Sequence, residues 1–109
     1  MSADTSAYTR ACALADVPET GATRVIIAGT PIAVVRSEGE VYAIYDVCSH
    51  ADVPLSEGEV EDQTIECWLH GSQFDLLTGR PTSLPAIKAV PVYPVKIDGD
   101  DVFVAVQES

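Results

Sequence analysis

The sequence predicts a single all-β domain in which short antiparallel strands surround a smaller inserted segment. Short β-branched and aromatic runs recur along the chain, and glycine, proline and acidic turn residues separate them. No segment has a convincing helical period. With 109 residues, of which 47% are hydrophobic, the chain is long enough to bury one substantial core.

The first half of the chain predicts an antiparallel meander of three strands, at residues 23–28, 32–36 and 41–45. The breaks between them are Gly29-Thr30-Pro31 and Glu38-Gly39-Glu40, which are typical turn sequences. Residues 9–17, which precede the meander, predict only a short turn.

The end of the chain predicts a hairpin of two strands, at residues 93–97 and 102–106, around the turn Asp98-Gly99-Asp100-Asp101. Residues 46–86 differ from these β-rich portions, because they contain both histidines, two of the three cysteines and several loop signals. We interpret this segment as a metal-binding subdomain inserted into a β framework.

Each of the two histidines follows a cysteine at short range. The first pair is Cys48-Ser49-His50, and the second, after a gap of sixteen residues, is Cys67-Trp68-Leu69-His70. Thiolate and imidazole are ligands that iron and zinc prefer, and two short loops can each supply one of each. Cys12 has no histidine neighbour, and we expect it to be an ordinary core residue.

Four such ligands leave two candidates open, a tetrahedral zinc ion and a two-iron cluster. Zinc sites more often place like residues together, as Cys-x-x-Cys and His-x-x-x-His, whereas here each loop holds one cysteine and one histidine. The spacing therefore favours the cluster without excluding zinc.

The two motifs resemble the cluster loops of Rieske proteins, which provide Cys-x-His and Cys-x-x-His ligands. The stretches CSHADVPLSEG and CWLHGSQFDLLTGRP are similar to those of dioxygenase-type Rieske ferredoxins, and Ser83-Leu84-Pro85 is the counterpart of the family's covering loop. The resemblance implies one [2Fe–2S] cluster, with Cys48 and Cys67 on the inner iron and His50 and His70 on the outer iron.

The same resemblance implies a Rieske fold over residues 1–109. Its framework is an antiparallel β-sandwich at about residues 8–45 and 87–107, and its smaller cluster-binding subdomain spans about residues 46–86. Backbone amides near Gly71 and the hydroxyl of Ser72 are candidate donors to the cluster. Val53 and Leu69 stand where the high-potential respiratory class has a disulfide between the loops, and Phe74 stands where that class has a tyrosine hydroxyl. These departures imply a midpoint potential at the low end of the Rieske range, roughly −150 mV.

For function, the resemblance implies a one-electron carrier between a flavin-dependent ferredoxin reductase and the terminal oxygenase of a ring-hydroxylating system. We expect no active site of its own, since no third histidine remains for the mononuclear iron of an oxygenase. Two alternatives stay open: an accessory or redox-sensing protein linked to iron–sulfur assembly, and a structural zinc-binding module.

The charge balance limits the possible partners. Seventeen acidic and six basic residues give a net charge of −11, which argues against nucleic acid because its phosphates would repel this surface. No apolar stretch approaches the roughly 20 residues of a membrane span, and three cysteines do not suggest a disulfide framework. We therefore expect a cytoplasmic monomer.

Overall fold

The computed structural model describes residues 8–48, 53–69, 71–82 and 88–106. Within these ranges the regular structure consists of strands and two short 3₁₀ turns, Leu14–Asp16 and Leu55–Glu57. This confirms the predicted all-β class. In the part of the chain that the structure describes, no helix is both long enough and apolar enough to cross a membrane.

The strands of the described residues form three antiparallel sheets. In chain order they are β1 (Tyr8–Ala13), β2 (Gly21–Ile27), β3 (Thr30–Ser37), β4 (Glu40–Tyr45), β5 (Val60–Glu61), β6 (Thr64–Glu66), β7 (Gln73–Asp75), β8 (Val92–Tyr93), β9 (Val95–Asp98) and β10 (Asp101–Ala105). The terminal sheet has the order β1-β10-β9, the central sheet β2-β3-β4-β8, and the small sheet β5-β6-β7.

Tight two-residue turns connect β2 to β3, β3 to β4 and β5 to β6. In each turn both central residues have positive φ, as in type I′ hairpins. The pairs are Ala28 and Gly29, Glu38 and Gly39, and Asp62 and Gln63. The predicted meander is confirmed, although Thr30 and Pro31 belong to β3 and not to the preceding break.

The predicted C-terminal hairpin is present as β9 and β10, but its first strand is not continuous over residues 93–97. Tyr93 pairs with Ala43 of β4 in the central sheet, whereas Val95 pairs with Val104 of β10 in the terminal sheet. Pro94 lies between them and has no N–H for a ladder hydrogen bond. The chain therefore changes sheets at this proline.

The N-terminal segment is more ordered than the sequence suggests. The expected short turn is the 3₁₀ turn at Leu14–Asp16, but the strand β1 precedes it and pairs with β10. The register shifts between Arg10 and Cys12, which marks a β-bulge. Residues 9–17 thus contain a strand that sequence reasoning missed.

The strand β3 of the central sheet is buried on both faces. Ile32 and Val34 of β3 pack into one apolar core with Val102 and Val104 of the terminal sheet. Because side chains alternate along a strand, the residues between them, Ala33 and Val35, face a second core that contains Ile65 of the small sheet. The central sheet therefore separates a sandwich core from the core beneath the small sheet.

We expect Gly79→Ala to lower the free energy of unfolding by about 3 kcal/mol, because it combines backbone strain with a steric clash. Gly79 has a φ of +78°, and an added Cβ would lie 2.0 Å from the carbonyl oxygen of Val90. The control is Gly39→Ala, since Gly39 has a φ of +84° and open space around its Cβ position. Urea denaturation measures the free energy of unfolding of both variants. Equal decreases in the two variants would contradict the predicted clash at Gly79.

Candidate metal centre

Cys48 begins a loop that is anchored on the central sheet. Just before it, the amide of Tyr45 donates to the Pro91 carbonyl at 2.9 Å, and the amide of Asp46 donates to the Pro31 carbonyl at 3.0 Å. The amide of Cys48 then donates to the carbonyl of Val53 at 2.9 Å. This bond ties Cys48 to Val53 and holds Cys48, which is 3% exposed, in the apolar interior.

Cys67 follows β6 directly and begins a second closed turn. Its amide donates to the carbonyl of Ser72 at 2.7 Å, and its carbonyl accepts from the amide of Gly71 at 2.8 Å. Gly71 has a φ of +79°, a left-handed conformation that favours glycine. Cys67 is completely buried, and so is Ser72.

The two loops therefore share one hydrogen-bonding pattern. In each, the cysteine amide donates to the carbonyl five residues further on, and the histidine of the motif lies in sequence between the two bonded residues. Cys48 and Cys67 belong to the same apolar core, together with Leu55, Phe74 and Val90. Both thiols are thus brought from separate loops into one dry environment.

A close backbone contact holds the two loops together. The amide of Glu66 donates to the carbonyl of Glu59 at 2.8 Å. Gly58 lies so near β6 that an added Cβ would be 1.6 Å from the carbonyl oxygen of Glu66. Because Glu66 immediately precedes Cys67, this contact fixes the end of the first loop against the start of the second.

The two cysteines of the predicted ligand set come together, and the two histidines lie outside the described residues. His50 and His70 remain predicted ligands on the sequence motif alone. The proposed covering loop Ser83-Leu84-Pro85 also lies outside the described residues. Two soft sulfur ligands on separate loops in one apolar core are nevertheless suited to a metal cluster.

Cys12 lies elsewhere, in the sandwich core with Val102 and Val104. Burial, with a smaller contribution from Asp16, raises the pKa of the Cys12 thiol. A thiol that stays protonated is a poor metal ligand and a poor nucleophile. The structure thus places Cys12 as the core residue that the sequence predicts.

The residues around the second loop differ in part from expectation. The amide of Gly71 donates to the Cys67 carbonyl, so this N–H already has a partner within the loop. Trp68 and Leu69, which lie in sequence between the second pair of predicted ligands, are 50% and 42% exposed. They form an apolar surface beside the site.

The role of Asp46 was not predicted from the sequence. Asp46 is completely buried, and its carboxylate accepts hydrogen bonds from Ser56 at the far end of the first loop. Its position, directly after an apolar strand and two residues before a candidate ligand, was the available signal.

The comparison with protein families decides between the two kinds of metal site. The family model described as the Rieske [2Fe-2S] domain matches residues 7–94. The chain belongs to the Rieske [2Fe–2S] family. One [2Fe–2S] cluster, and not zinc, is therefore its cofactor, and the buried thiols of Cys48 and Cys67 suit that group.

Similar proteins are ferredoxins of dioxygenase systems. The 3-phenylpropionate/cinnamic acid dioxygenase ferredoxin subunit of Escherichia coli (strain K12) is 45% identical over 100 residues, which cover 91% of this chain and 93% of that protein. The ferredoxin of carbazole 1,9a-dioxygenase from Nocardioides aromaticivorans IC177 has a TM-score of 0.87 and 36% identity, and the match covers 92% of this chain and 98% of that chain.

A third match comes from the complex of reduced oxygenase and oxidized ferredoxin in carbazole 1,9a-dioxygenase. It has a TM-score of 0.84 and 35% identity, and it covers 90% of this Rieske chain and 92% of the matched chain. The likeness thus extends over nearly the full length of proteins named as ferredoxins. This chain is a Rieske-type ferredoxin, an electron carrier.

We expect Gly58→Ala to separate the two cluster loops and to reduce the cluster content of the purified protein. The added methyl group cannot be accommodated without moving the backbone of Glu66, and such overpacking costs about 1–3 kcal/mol. The iron content per chain and the visible absorbance measure the loss. Glu59→Ala is the control, because that side chain is exposed, and equal iron contents in the two variants would contradict the role of the contact.

Proposed function

We propose that this Rieske ferredoxin carries single electrons from a flavin-dependent ferredoxin reductase to the terminal oxygenase of an aromatic-ring-hydroxylating system. The observation that carries the proposal is the pair of buried thiols, presented by two loops with the same closing hydrogen bond. The relatives named above support the oxygenase as a partner, because they belong to dioxygenase systems.

We assign the cluster ligands by the family's motif. Cys48 and Cys67 bind the inner iron, and His50 and His70 bind the outer iron. The burial of the two cysteines, which are 3% and 0% exposed, suits ligands of an inner iron. The [2Fe–2S] group supplies reversible uptake of one electron, which neutral imidazole ligands make easier than an all-cysteine site would.

The polypeptide itself keeps water from the sulfur ligands and limits their movement. Leu55 and Phe74 belong to the same apolar core as both cysteines, and neither side chain has any exposed surface. The closing hydrogen bonds at Val53 and Ser72 restrict each cysteine to one backbone arrangement. A site whose geometry changes little between oxidation states is suited to electron transfer, because its reorganisation energy is small.

We also propose that the chain has no active site of its own and works as a cytoplasmic monomer. The sequence contains two histidines, and the ligand assignment uses both. A net charge of −11 opposes self-association and contact with nucleic acid. Thiols remain reduced in the cytoplasm, which suits cysteines that act as metal ligands.

The surface beside the second loop is suited to partner docking. Trp68 and Leu69 expose apolar area next to the His70 position. The segment of residues 46–86 contains eight acids and a single base, Arg80, so its net charge is −7. We infer a partner that has an apolar contact surrounded by basic side chains, because opposite charges accelerate encounter.

Replacing either outer-iron ligand tests the ligand assignment. We expect His50→Cys and His70→Cys to lower the midpoint potential towards the roughly −400 mV typical of all-cysteine clusters, or to abolish cluster binding. The physical reason is that each new thiolate adds a negative charge at the iron. A redox titration followed by electron paramagnetic resonance measures the potential.

A variant with the wild-type potential and spectrum would contradict the ligand assignment. The function as a whole would be disproved if wild-type protein, produced with ample iron and sulfide, held one zinc ion per chain. Such a protein would also give no paramagnetic signal after reduction.

Neutralising the acidic run Glu57, Glu59, Glu61 and Asp62 tests electrostatic docking. With these residues changed to Gln or Asn, we expect electron transfer to slow at low salt and to depend less on ionic strength. The rate is measured with a reductase and a terminal oxygenase of an aromatic-ring dioxygenase system. The matched control changes four exposed framework acids, which are Asp16, Glu19, Asp98 and Asp100. Equal salt dependences in the two variants would locate docking elsewhere.

A further inference from the structure

The carboxylate of Asp46 is a charged group with no exposed surface. Its relative exposure is 0%, although it lies next to β4 at the start of the first cluster loop. Burial of a charge is costly unless hydrogen bonds and an opposite charge compensate it. The Asp46 carboxylate therefore requires partners within the protein.

Three contacts compensate the Asp46 carboxylate. The backbone N–H of Ser56 donates to Oδ1 at 2.6 Å, and the Ser56 hydroxyl donates to Oδ2 at 2.7 Å. The guanidinium of Arg24 lies on the other side, with Nη1 at 3.4 Å from Oδ2. The arginine side chain is 41% exposed, so this ion pair reaches from the interior to the surface.

These contacts join three separate parts of the chain. Arg24 belongs to β2 of the central sheet, Asp46 follows β4, and Ser56 lies in the second 3₁₀ turn. The Asp46–Ser56 pair therefore closes the first cluster loop from outside, while the bond from the Cys48 amide to the Val53 carbonyl closes it from inside. His50 lies in sequence between the residues of both closures.

Asp46 is also close to the metal ligand in sequence. Two residues of chain span at most about 7 Å between Cα atoms, so the carboxylate lies within electrostatic range of the Cys48 sulfur. A negative charge there opposes the addition of an electron. The positive charge of Arg24, on the other side of the carboxylate, offsets that effect.

We propose that Asp46 is a positioning residue that clamps the first cluster loop through Ser56, and that the Arg24–Asp46 pair sets the midpoint potential of the ferredoxin. This inference rests on the proposed ligation by Cys48. The clamp fixes the loop geometry, and the balance of the two charges fixes the local potential.

Variants of the three residues separate a charge effect from a packing effect. We expect Asp46→Asn to raise the midpoint potential, because it removes a negative charge while keeping the size of the side chain. Arg24→Gln leaves the carboxylate uncompensated and lowers the potential, whereas Arg24→Lys restores it towards the wild-type value. If the pair had only a structural role, Asp46→Asn and Arg24→Gln would shift the midpoint potential in the same direction.

The exposed ion pair between Arg10 and Asp101 provides matched controls. It joins β1 to β10 in the terminal sheet, with a distance of 3.0 Å between Nη2 and Oδ1. Arg10→Gln and Asp101→Asn change the net charge by the same amounts as Arg24→Gln and Asp46→Asn. We expect both to leave the midpoint potential unchanged.

Ser56→Ala tests the clamp without altering any charge. We expect the cluster to be lost several-fold faster from this variant than from the wild type in the presence of an iron chelator, followed by the decay of visible absorbance. Its midpoint potential should stay close to that of the wild type. If Asp46→Asn fails to fold, the half-exposed Arg24 and the Ser56 variant still decide the question.

Two results would overturn the inference in a protein that binds its cluster normally. One is that Asp46→Asn and Arg24→Gln shift the midpoint potential in the same direction, or that they shift it no more than the control variants do. The other is a wild-type rate of cluster loss from Ser56→Ala. Absence of a cluster from the wild-type protein would instead disprove the proposed function.

Discussion

Burial of Cys48 and Cys67 in a single apolar core is the constraint on which the rest of the molecule depends. A sulfur ligand in the interior is protected from water and oxidants, but it can be held there only if the backbone that delivers it is satisfied by hydrogen bonds. The matching bonds to Val53 and Ser72 meet that need. They leave the thiols directed into the same core.

The framework supports this core through β3, which is buried on both faces. Ile32 and Val34 face the sandwich core, while Ala33 and Val35 face the core of the two cysteines. A rigid strand shared by two cores gives the cluster loops a fixed base. The strands of the small sheet can therefore be short, because β3 already forms the other side of the core that they cover.

Charge is distributed in two ways around the site. The segment of residues 46–86 has a net charge of −7, to which acids other than Asp46 contribute most, and this excess suits encounter with a basic partner. In the interior, the one fully buried carboxylate of the described residues, Asp46, is compensated by Ser56 and Arg24. Surface acids are screened by salt and mainly influence association with a partner. A buried charge near a metal ligand is screened less and influences the midpoint potential.

The sequence by itself determined the fold class, the meander, the β9–β10 hairpin and the two cysteine–histidine motifs. These features depend on local chemistry: alternation of apolar residues, turn residues such as Gly29 and Gly39, and ligand types at fixed short spacing. The motifs also indicated the Rieske family, because each of them pairs one cysteine with one histidine at short spacing. The roles of His50 and His70 still rest on that motif.

Only the tertiary structure decided the features that depend on contacts between distant residues. β1 is a strand because β10 offers it an edge, and its own alanine-rich sequence gives little β signal. The division of residues 93–97 at Pro94 follows from the need to pair with β4 on one side and β10 on the other. The burial of Asp46 depends on its contacts with Arg24 and Ser56, which are 22 and 10 residues away in sequence. A local sequence pattern does not predict such contacts.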